Sequence, residues 1–453
     1  MSLGWGLGRW VAEYKLNLPR LSPEEEALAL GVAERFRNET QKRELKGDDE
    51  AAALCKKLLY DACEEEGLEI DSEQEAYLSR AVFLQTFGSG FLGELLADEK
   101  LEEIALIGLQ RPVFVYVRGS GWKRTNVYID SQDYFVSLCN RLGRGLGRRL
   151  TAQQPRINAV LDDGSRMHAS MPPVSSCELT IRKFSREPLS PFDLLQSGTY
   201  DAKMLAFLSL SLQADLSVVF AGNTASGKTT TLNAALSFIP DSERLLLIEE
   251  TPEISVPHSH QLRLMPFEEA GIGMVELVRD SLRMRPDRVV VGEVRRPDEA
   301  HAFVESALSG QAKGCYATFH AQSSRDALLR LRMMGCLEAD LEGLDLVVIQ
   351  RRVSTYDRKQ RKVGEARKVT EISLSNRQDI LHPNIVFSDG KFSEKPMALA
   401  LERFCSNSGM TLRESREELS AREKFFLQNR ACRGFERSFG TIQKYMFGGK
   451  KNG

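Results

Sequence analysis

Long apolar runs and paired cysteines are both missing from this sequence of 453 residues. No apolar stretch approaches the roughly 20 residues of a transmembrane helix, and residues 1–14 contain no continuous apolar core like that of a signal peptide. The eight cysteines include no C-x-x-C pair, which predicts free thiols that mostly fill the core, without a zinc site. The formal net charge of -2 argues against binding of nucleic acid through bulk charge. These features predict a cytoplasmic protein without a transmembrane segment of its own.

The length allows two or three domains, and the pattern of apolar, charged and turn-forming residues changes along the chain. Residues 1–87 predict a helical region of about three helices, and residues 88–185 predict a small α+β domain. Strands alternate with helical segments over 186–350, which predicts an α/β domain with a largely parallel sheet. Residues 351–453 predict a mixed, mainly helical C-terminal region.

Within the small α+β domain, the pattern predicts particular elements. We expect a helix over about 91–103 and another over about 131–146. Two β-prone runs around Gly119-Ser120-Gly121 predict a hairpin over 111–129. Residues 167–170 predict an edge strand, and residues 179–184 predict a strand that ends in a hinge.

A glycine loop at 222–229 lies between an apolar run at 216–221 and a predicted helix from Thr229. Strand, Gly-x4-Gly-Lys-Thr loop and helix in this order are the context of a phosphate-binding P-loop. Its glycines let backbone N–H groups turn toward phosphates at the positive end of the helix. Lys228 would reach the β- and γ-phosphates of ATP, and the Thr229 hydroxyl would ligate Mg²⁺. The predicted nucleotide-binding residues of the loop are Gly222, Asn223, Thr224, Ala225, Ser226, Gly227, Lys228, Thr229 and Thr230.

Other predicted strands of the α/β domain end in groups that could act on a bound nucleotide, at the edge where parallel sheets place ligands. Glu249 and Glu250 end one strand, and Glu253 follows after a tight turn. Such acids can hold Mg²⁺-bound waters or polarise the attacking water, so Glu249 and Glu250 are predicted metal ligands, and Glu250 and Glu253 predicted catalytic groups. Glu293 closes a buried apolar run and is the predicted water activator. His320 ends a further strand and could sense the γ-phosphate.

The order of these motifs resembles that of the secretion-system traffic ATPases, the ring motors of type II and type IV secretion, type IV pili and archaella. Gly292 stands where a Walker B strand usually carries Asp, as in that family. Residues 283–295 resemble the family's Walker B block, and residues 314–321 resemble its His box. The sequences of residues 111–116 and 251–258 are most similar to those of the archaeal branch.

The resemblance implies a RecA-like P-loop domain that hydrolyses ATP with Mg²⁺ in a homohexameric ring. It implies an integral-membrane platform protein as partner, at the inner face of the cell membrane, and rotation about a hinge near 184–199. Arginines of the N-terminal domain complete the nucleotide site in that family, which makes Arg166 and Arg182 the candidates here. One departure from the family's pattern lies in its acid box, the pair of acids that ends the strand after the P-loop helix. This pair is usually Glu-Asp and is here Glu249-Glu250.

Two alternatives remain open from the sequence. A nucleic-acid translocating ATPase would use the basic run at 351–368 to contact phosphates. A nucleotide-gated assembly protein would bind ATP with little hydrolysis, in keeping with the altered acid box. The sequence does not separate pilus assembly, archaellum rotation, retraction and secretion.

Overall fold

Helices and strands alternate through the computed structural model, which describes residues 13–16, 22–42, 48–68, 70–86, 91–129, 131–143, 149–161, 163–184, 188–267, 270–358 and 361–448. The chain divides into two compact units, 1–185 and 186–453. Within those ranges, no helix combines the length and the apolar composition needed to cross a bilayer.

The first unit contains a group of long helices, within the helical region predicted for 1–87. They are α1 (Pro23–Lys42), α2 (Asp48–Glu66) and α3 (Ser72–Thr86). The start of α1 is fixed by a capping box, in which Ser22 Oγ accepts the Glu25 amide (3.2 Å) and Glu25 Oε2 accepts the Ser22 amide (2.7 Å). Buried side chains from all three helices form one core.

A mixed sheet follows in the same unit. Its strands and accompanying helices are β1 (Glu13–Tyr14), α4 (Phe91–Ala97), β2 (Leu101–Ile107), β3 (Pro112–Val117), β4 (Gly121–Tyr128), α5 (Gln132–Leu142), β5 (Arg156–Val160), β6 (Arg166–Ser170) and β7 (Glu178–Arg182). Among the described residues the strand order is β1-β4-β3-β2-β7-β6-β5. The predicted hairpin is confirmed as β3 and β4, with Gly119 and Gly121 at positive φ in its turn.

Three predictions for this sheet need correction. Residues 167–170 are not an edge strand, because β6 is paired on both sides, with β7 and with β5. The predicted helix over 91–103 ends at Ala97, because Leu101–Ile107 buries apolar side chains as a strand instead. Helix α5 ends at Leu142, and residues 144–146 of the predicted helix lie outside the described residues.

The short strand β1 covers the edge of this sheet. Glu13 and Tyr14 pair in parallel with β4, and Glu13 forms an ion pair with Arg124 at 2.8 Å. Just beyond β1, the Leu16 amide donates to Asn126 Oδ1 at 2.8 Å, and Asn126 Nδ2 donates to the Leu16 carbonyl at 3.1 Å. Residues before 88 therefore contribute a strand to the sheet as well as helices.

The second unit is built on a large sheet. Its elements are α6 (Pro191–Gln196), α7 (Ala202–Gln213), β8 (Val218–Gly222), α8 (Lys228–Ala235), β9 (Leu245–Ile248), β10 (Gln261–Leu264), α9 (Met274–Ser281), β11 (Arg288–Val294), α10 (Pro297–Leu308), β12 (Gly314–Phe319), α11 (Ser324–Met333), β13 (Leu346–Asp357), β14 (Lys362–Leu374), β15 (Asn384–Ser388), β16 (Lys391–Phe392), α12 (Glu394–Ser408), α13 (Leu412–Gln428) and α14 (Phe435–Met446). In the described part of the chain the strand order is β10-β9-β11-β12-β8-β13-β14-β15-β16, parallel from β10 to β13 and antiparallel beyond. The prediction of an α/β P-loop domain with a largely parallel sheet is confirmed.

Helices cover both faces of this sheet, as a parallel sheet requires. Side chains of α7, α8, α12, α13 and α14 share a core on one face, and those of α9, α10 and α11 share a core on the other. The boundary predicted at 350 falls inside β13, and the C-terminal helices pack in the same core as the P-loop helix. The basic run at 351–368 forms most of the β13–β14 hairpin.

The eight cysteines are all free, and six of them are buried. Cys405 and Cys432 are half-buried. The prediction of free thiols that mostly fill the core is confirmed.

Candidate nucleotide-binding site

The P-loop joins the buried strand β8 to the first turn of α8. Its backbone turns through two left-handed residues, Ala225 with φ +60° and Gly227 with φ +92°. Gly222 is required by close packing, because a Cβ there would lie 1.9 Å from the Gln350 carbonyl oxygen of the neighbouring strand β13. A side chain at 222 would push β8 and β13 apart. The loop is thus held against β13.

Lys228 and the threonines after it begin helix α8, where phosphate binding was predicted. Lys228 is buried, and its Nζ donates to the Asn223 carbonyl at 3.3 Å. Thr229 and Thr230 are half-buried. The Ser226 hydroxyl is buried and has no hydrogen-bond partner among the described residues. An ammonium group, hydroxyls and backbone amides at a helix N-terminus are the groups that bind a phosphate chain.

Three of the predicted acidic and imidazole groups meet at the carboxyl edge of the sheet. Glu293 Oε1 lies 2.8 Å from His320 Nε2, and Glu293 Oε2 accepts a hydrogen bond from Arg295 Nε at 2.6 Å. Arg295 also forms an ion pair with Glu250. The register between β11 and β12 shifts between Val291 and Val294, an irregularity that re-aims side chains next to functional sites.

The electrostatics of His320 link this cluster to the P-loop. Partial burial lowers the pKa of His320, and the nearby positive charge of Lys228 lowers it further, while Glu293 acts in the opposite direction. The imidazole is therefore favoured in its neutral form near Lys228. A neutral imidazole carries one donor and one acceptor, so it can relay a hydrogen bond between Glu293 and a bound group.

Glu249 lies in a different environment from its neighbour Glu250. Its side chain is almost fully buried, and Oε1 accepts the amides of Glu253 and Ile254, each at 2.9 Å. Its Oε2 lies 3.2 Å from Arg263 Nε, and burial raises the pKa of the carboxyl. The carboxylate predicted to ligate Mg²⁺ is thus engaged with the turn that follows β9, and Glu253 takes part in that turn through its backbone.

This turn also explains the glycine at 292. A Cβ on Gly292 would lie 3.1 Å from Glu249 Cγ and 3.5 Å from Glu249 Cβ. Because two amides hold the Glu249 carboxylate, the side chain has little room to move away. An Asp at position 292, as a Walker B strand usually carries, would therefore collide with the inward-turned Glu249 side chain.

Arg166 and Arg182 lie in the first unit. They are direct cross-strand neighbours on β6 and β7, and Glu103 of β2 is the partner of Arg182 on its other side. Arg166 is half-buried and Arg182 is exposed. The structure brings the two arginines together, and their role toward a nucleotide stays a prediction.

Several residues at the P-loop had no place in the predicted site. Gln350 donates through Nε2 to the Ser226 carbonyl at 2.7 Å and accepts from the Thr231 hydroxyl. Arg367 of β14 donates through Nε to the Ala225 carbonyl at 3.0 Å. A polar residue at the end of the predicted strand 345–350 was a signal for Gln350, whereas no motif marks Arg367.

Arg288 lies at the opposite end of β11 from Glu293, although both belong to the same block of sequence. It is almost fully buried, with hydrogen bonds to Glu243 (2.6 Å), Asp215 (2.7 Å) and the Tyr316 hydroxyl (3.0 Å). This network joins the amino ends of the central strands, so it supports the sheet away from the candidate site.

A P-loop braced against a parallel sheet, with Glu and His at the next strand ends, defines a P-loop nucleotide-binding protein. The family model described as "Type II/IV secretion system protein" matches residues 146–418, more than half of the chain. The chain belongs to this family, and the resemblance read from its motifs is confirmed.

Individual curated proteins are similar to about half of this chain. The type IV secretion system protein PtlH of Bordetella pertussis is 33% identical over 273 residues, which is 52% of this chain and 78% of PtlH. Two uncharacterized proteins of Methanocaldococcus jannaschii, MJ0781 and MJ0900, are 35% and 33% identical over 249 and 251 residues, or 51% and 54% of this chain. The chain spans only 34% and 45% of the length of these two archaeal relatives.

Solved structures of other proteins also match this chain. The VirB11 ATPase of the Brucella suis type IV secretion system, crystallised with sulphate, matches with a TM-score of 0.31 and 24% identity, over 62% of this chain and 92% of that one. The pilus retraction motor PilT with bound ADP matches with a TM-score of 0.46 and 14% identity, over 77% and 95%.

Proposed function

We propose that this protein is an ATPase that uses Mg²⁺-dependent ATP hydrolysis to drive a type IV pilus-like filament or a secretion machine. The observation that carries the proposal is the 2.8 Å contact between Glu293 and His320, with the charge of the P-loop Lys228 near enough to lower the pKa of His320. Membership of the type II/IV secretion system protein family supports it.

Each group has a chemical task in this proposal. Lys228 would bind the β- and γ-phosphates, and the Thr229 hydroxyl would hold Mg²⁺, which would neutralise charge on the phosphates. Glu293 orients and polarises the attacking water. Arg295 holds the Glu293 carboxylate and, through its ion pair, the Glu250 carboxylate. His320, held neutral, reports on the γ-phosphate.

The assembly around this activity is part of the same proposal. We place the protein in the cytoplasm at the inner face of the membrane, as a homohexameric ring that acts on an integral-membrane platform protein. The support is that relatives such as PtlH are named as type IV secretion system proteins. Sedimentation with ATP and Mg²⁺ tests the ring, and a protein that stays monomeric at all concentrations would contradict it.

Steady-state phosphate release and nucleotide binding, measured on the same preparations, test the activity. We expect wild type to release phosphate, Lys228→Ala to lose binding, and Glu293→Gln to bind ATP but lose at least a hundredfold in turnover, the usual scale for a general base. Glu305→Gln is the matched control, since this carboxylate is exposed on α10. Binding without any phosphate release by wild type would refute the ATPase and favour the nucleotide-gated assembly protein.

A further inference from the structure

The P-loop contains a backbone conformation that its own sequence does not favour. Ala225 has φ +60°, in the left-handed region that an alanine side chain makes unfavourable. Glycine would take this conformation freely, but the chain has alanine here. Something outside residue 225 must therefore hold the loop.

The β13–β14 ladder supplies three contacts along the loop. At its start, Asn223 Nδ2 donates to the Arg352 carbonyl (3.3 Å) and Asn223 Oδ1 accepts the Arg352 amide (3.0 Å), which extends the pairing of β8 and β13 by one side chain. Further along, Gln350 Nε2 donates to the Ser226 carbonyl at 2.7 Å. Arg367 Nε donates to the carbonyl of Ala225 itself at 3.0 Å.

The position of Arg367 follows from the register of the ladder. It lies directly opposite Arg352, so both share the face of the hairpin that includes Gln350, while Arg351 and Lys368 form the next pair on the other face. The Arg367 side chain also borders Gly227, since a Cβ on that glycine would lie 3.6 Å from Arg367 Cδ. Arg367 thus binds one left-handed residue of the loop and lies beside the other.

We infer that Arg367 is a positioning residue, which holds Ala225 in its left-handed conformation and so keeps the P-loop in the form that binds phosphate. The inference rests on the proposed nucleotide binding and deepens it. Arg367 acts through the Ala225 carbonyl. Without it, the loop relaxes toward a conformation that alanine prefers, and a nucleotide has to restore the left-handed turn when it binds.

An arginine could also strengthen nucleotide binding by its positive charge alone. The positioning role and the charge role predict different substitutions that restore binding. If Arg367 positions the loop, Ala225→Gly reduces the effect of removing it, because glycine needs no support at φ +60°. If Arg367 acts as a positive charge near the phosphates, Arg367→Lys restores binding, and the loss depends on salt.

The experiment measures the affinity for a fluorescent ADP analogue, with Mg²⁺, in the full chain. We expect Arg367→Ala to weaken binding about fivefold, the scale of one net hydrogen bond, and Arg367→Lys to recover little of the loss. In the Ala225→Gly background, Arg367→Ala should weaken binding by less than about twofold, the size of a few tenths of a net hydrogen bond. Arg351→Ala removes the same charge from the opposite face of the hairpin and is the matched control, with unchanged affinity.

Amide hydrogen exchange without nucleotide gives an independent measurement of the loop. Exchange of the peptide covering 222–227 should quicken in Arg367→Ala and stay as in wild type in Arg351→Ala, with the melting temperature unchanged in both. Wild type that binds no nucleotide would refute the proposed function and this inference with it. Wild type that binds, with Arg367→Ala unchanged or its loss equally large beside Ala225→Gly, would refute the inference alone.

Discussion

The contact between Gly292 and Glu249 makes the effect of a single methyl group predictable. Gly292→Ala would place a Cβ 3.1 Å from Glu249 Cγ, which is closer than the 3.4–4 Å of an ordinary van der Waals contact. Overpacking of this kind costs about 1–3 kcal/mol. Replacing glycine by alanine also gains about 0.4–1 kcal/mol by restricting the unfolded chain, and Gly292 does not have the positive φ that would cancel this gain.

The net expectation in the wild-type background is a loss of about 1 kcal/mol. For a unit of this size that corresponds to a fall in melting temperature of about 2–4 °C. In a Glu249→Ala background the Cγ is gone, and the remaining approach to the residue 249 Cβ is an ordinary 3.5 Å contact. There the same substitution should stabilise by about 0.4–1 kcal/mol, so the effect changes sign.

Thermal unfolding followed by far-ultraviolet circular dichroism measures all four proteins of this double-mutant cycle. An equal loss from Gly292→Ala in both backgrounds would refute the steric explanation of the missing Walker B Asp.

The remaining predictions concern buried charge. Arg288→Ala should destabilise by about 3 kcal/mol in urea titrations, the low end for breaking a buried pair, because Glu243 loses its buried partner but keeps the half-exposed Lys313. The exposed Arg283→Ala should cost less than about 0.5 kcal/mol, and similar losses would contradict the network. Burial lowers the pKa of His258 below the usual 6.5 of a histidine, so the unfolded chain takes up a proton that the folded protein resists, and stability falls as the pH drops below 6.5. The melting temperature of His258→Phe should therefore vary less between pH 7.5 and 5.5 than that of wild type, and parallel curves would contradict this.

The sequence was sufficient to predict the core of the candidate site. Parallel strands end at a common edge, so Glu293 and His320 could be expected near Lys228 once the strands were recognised. Alternation of strands and helices predicted the sheet for the same reason, since burial on both faces gives nearly continuous apolar runs. What the predictions captured was therefore set by local pattern.

What the sequence did not reveal depends on contacts between distant segments. Glu249 and Glu250 are adjacent acids, yet one turns inward to two amides and the other meets Arg295, a difference that only the fold determines. The 351–368 run has too many charges to predict a strand, but its two halves pair with each other, as the end of β13 and the start of β14. Arg367 is 142 residues from Ala225, so no local rule could join them.

The two-residue strand β1 has a practical consequence for preparing this protein. It covers the backbone of β4, which would otherwise be the open edge of the first sheet and a template for pairing with another molecule. A shortened version that starts at residue 22 would leave that edge bare, together with Asn126 and Arg124. Such a version is expected to self-associate during purification. Proteolysis that removes β1 is expected to have the same effect.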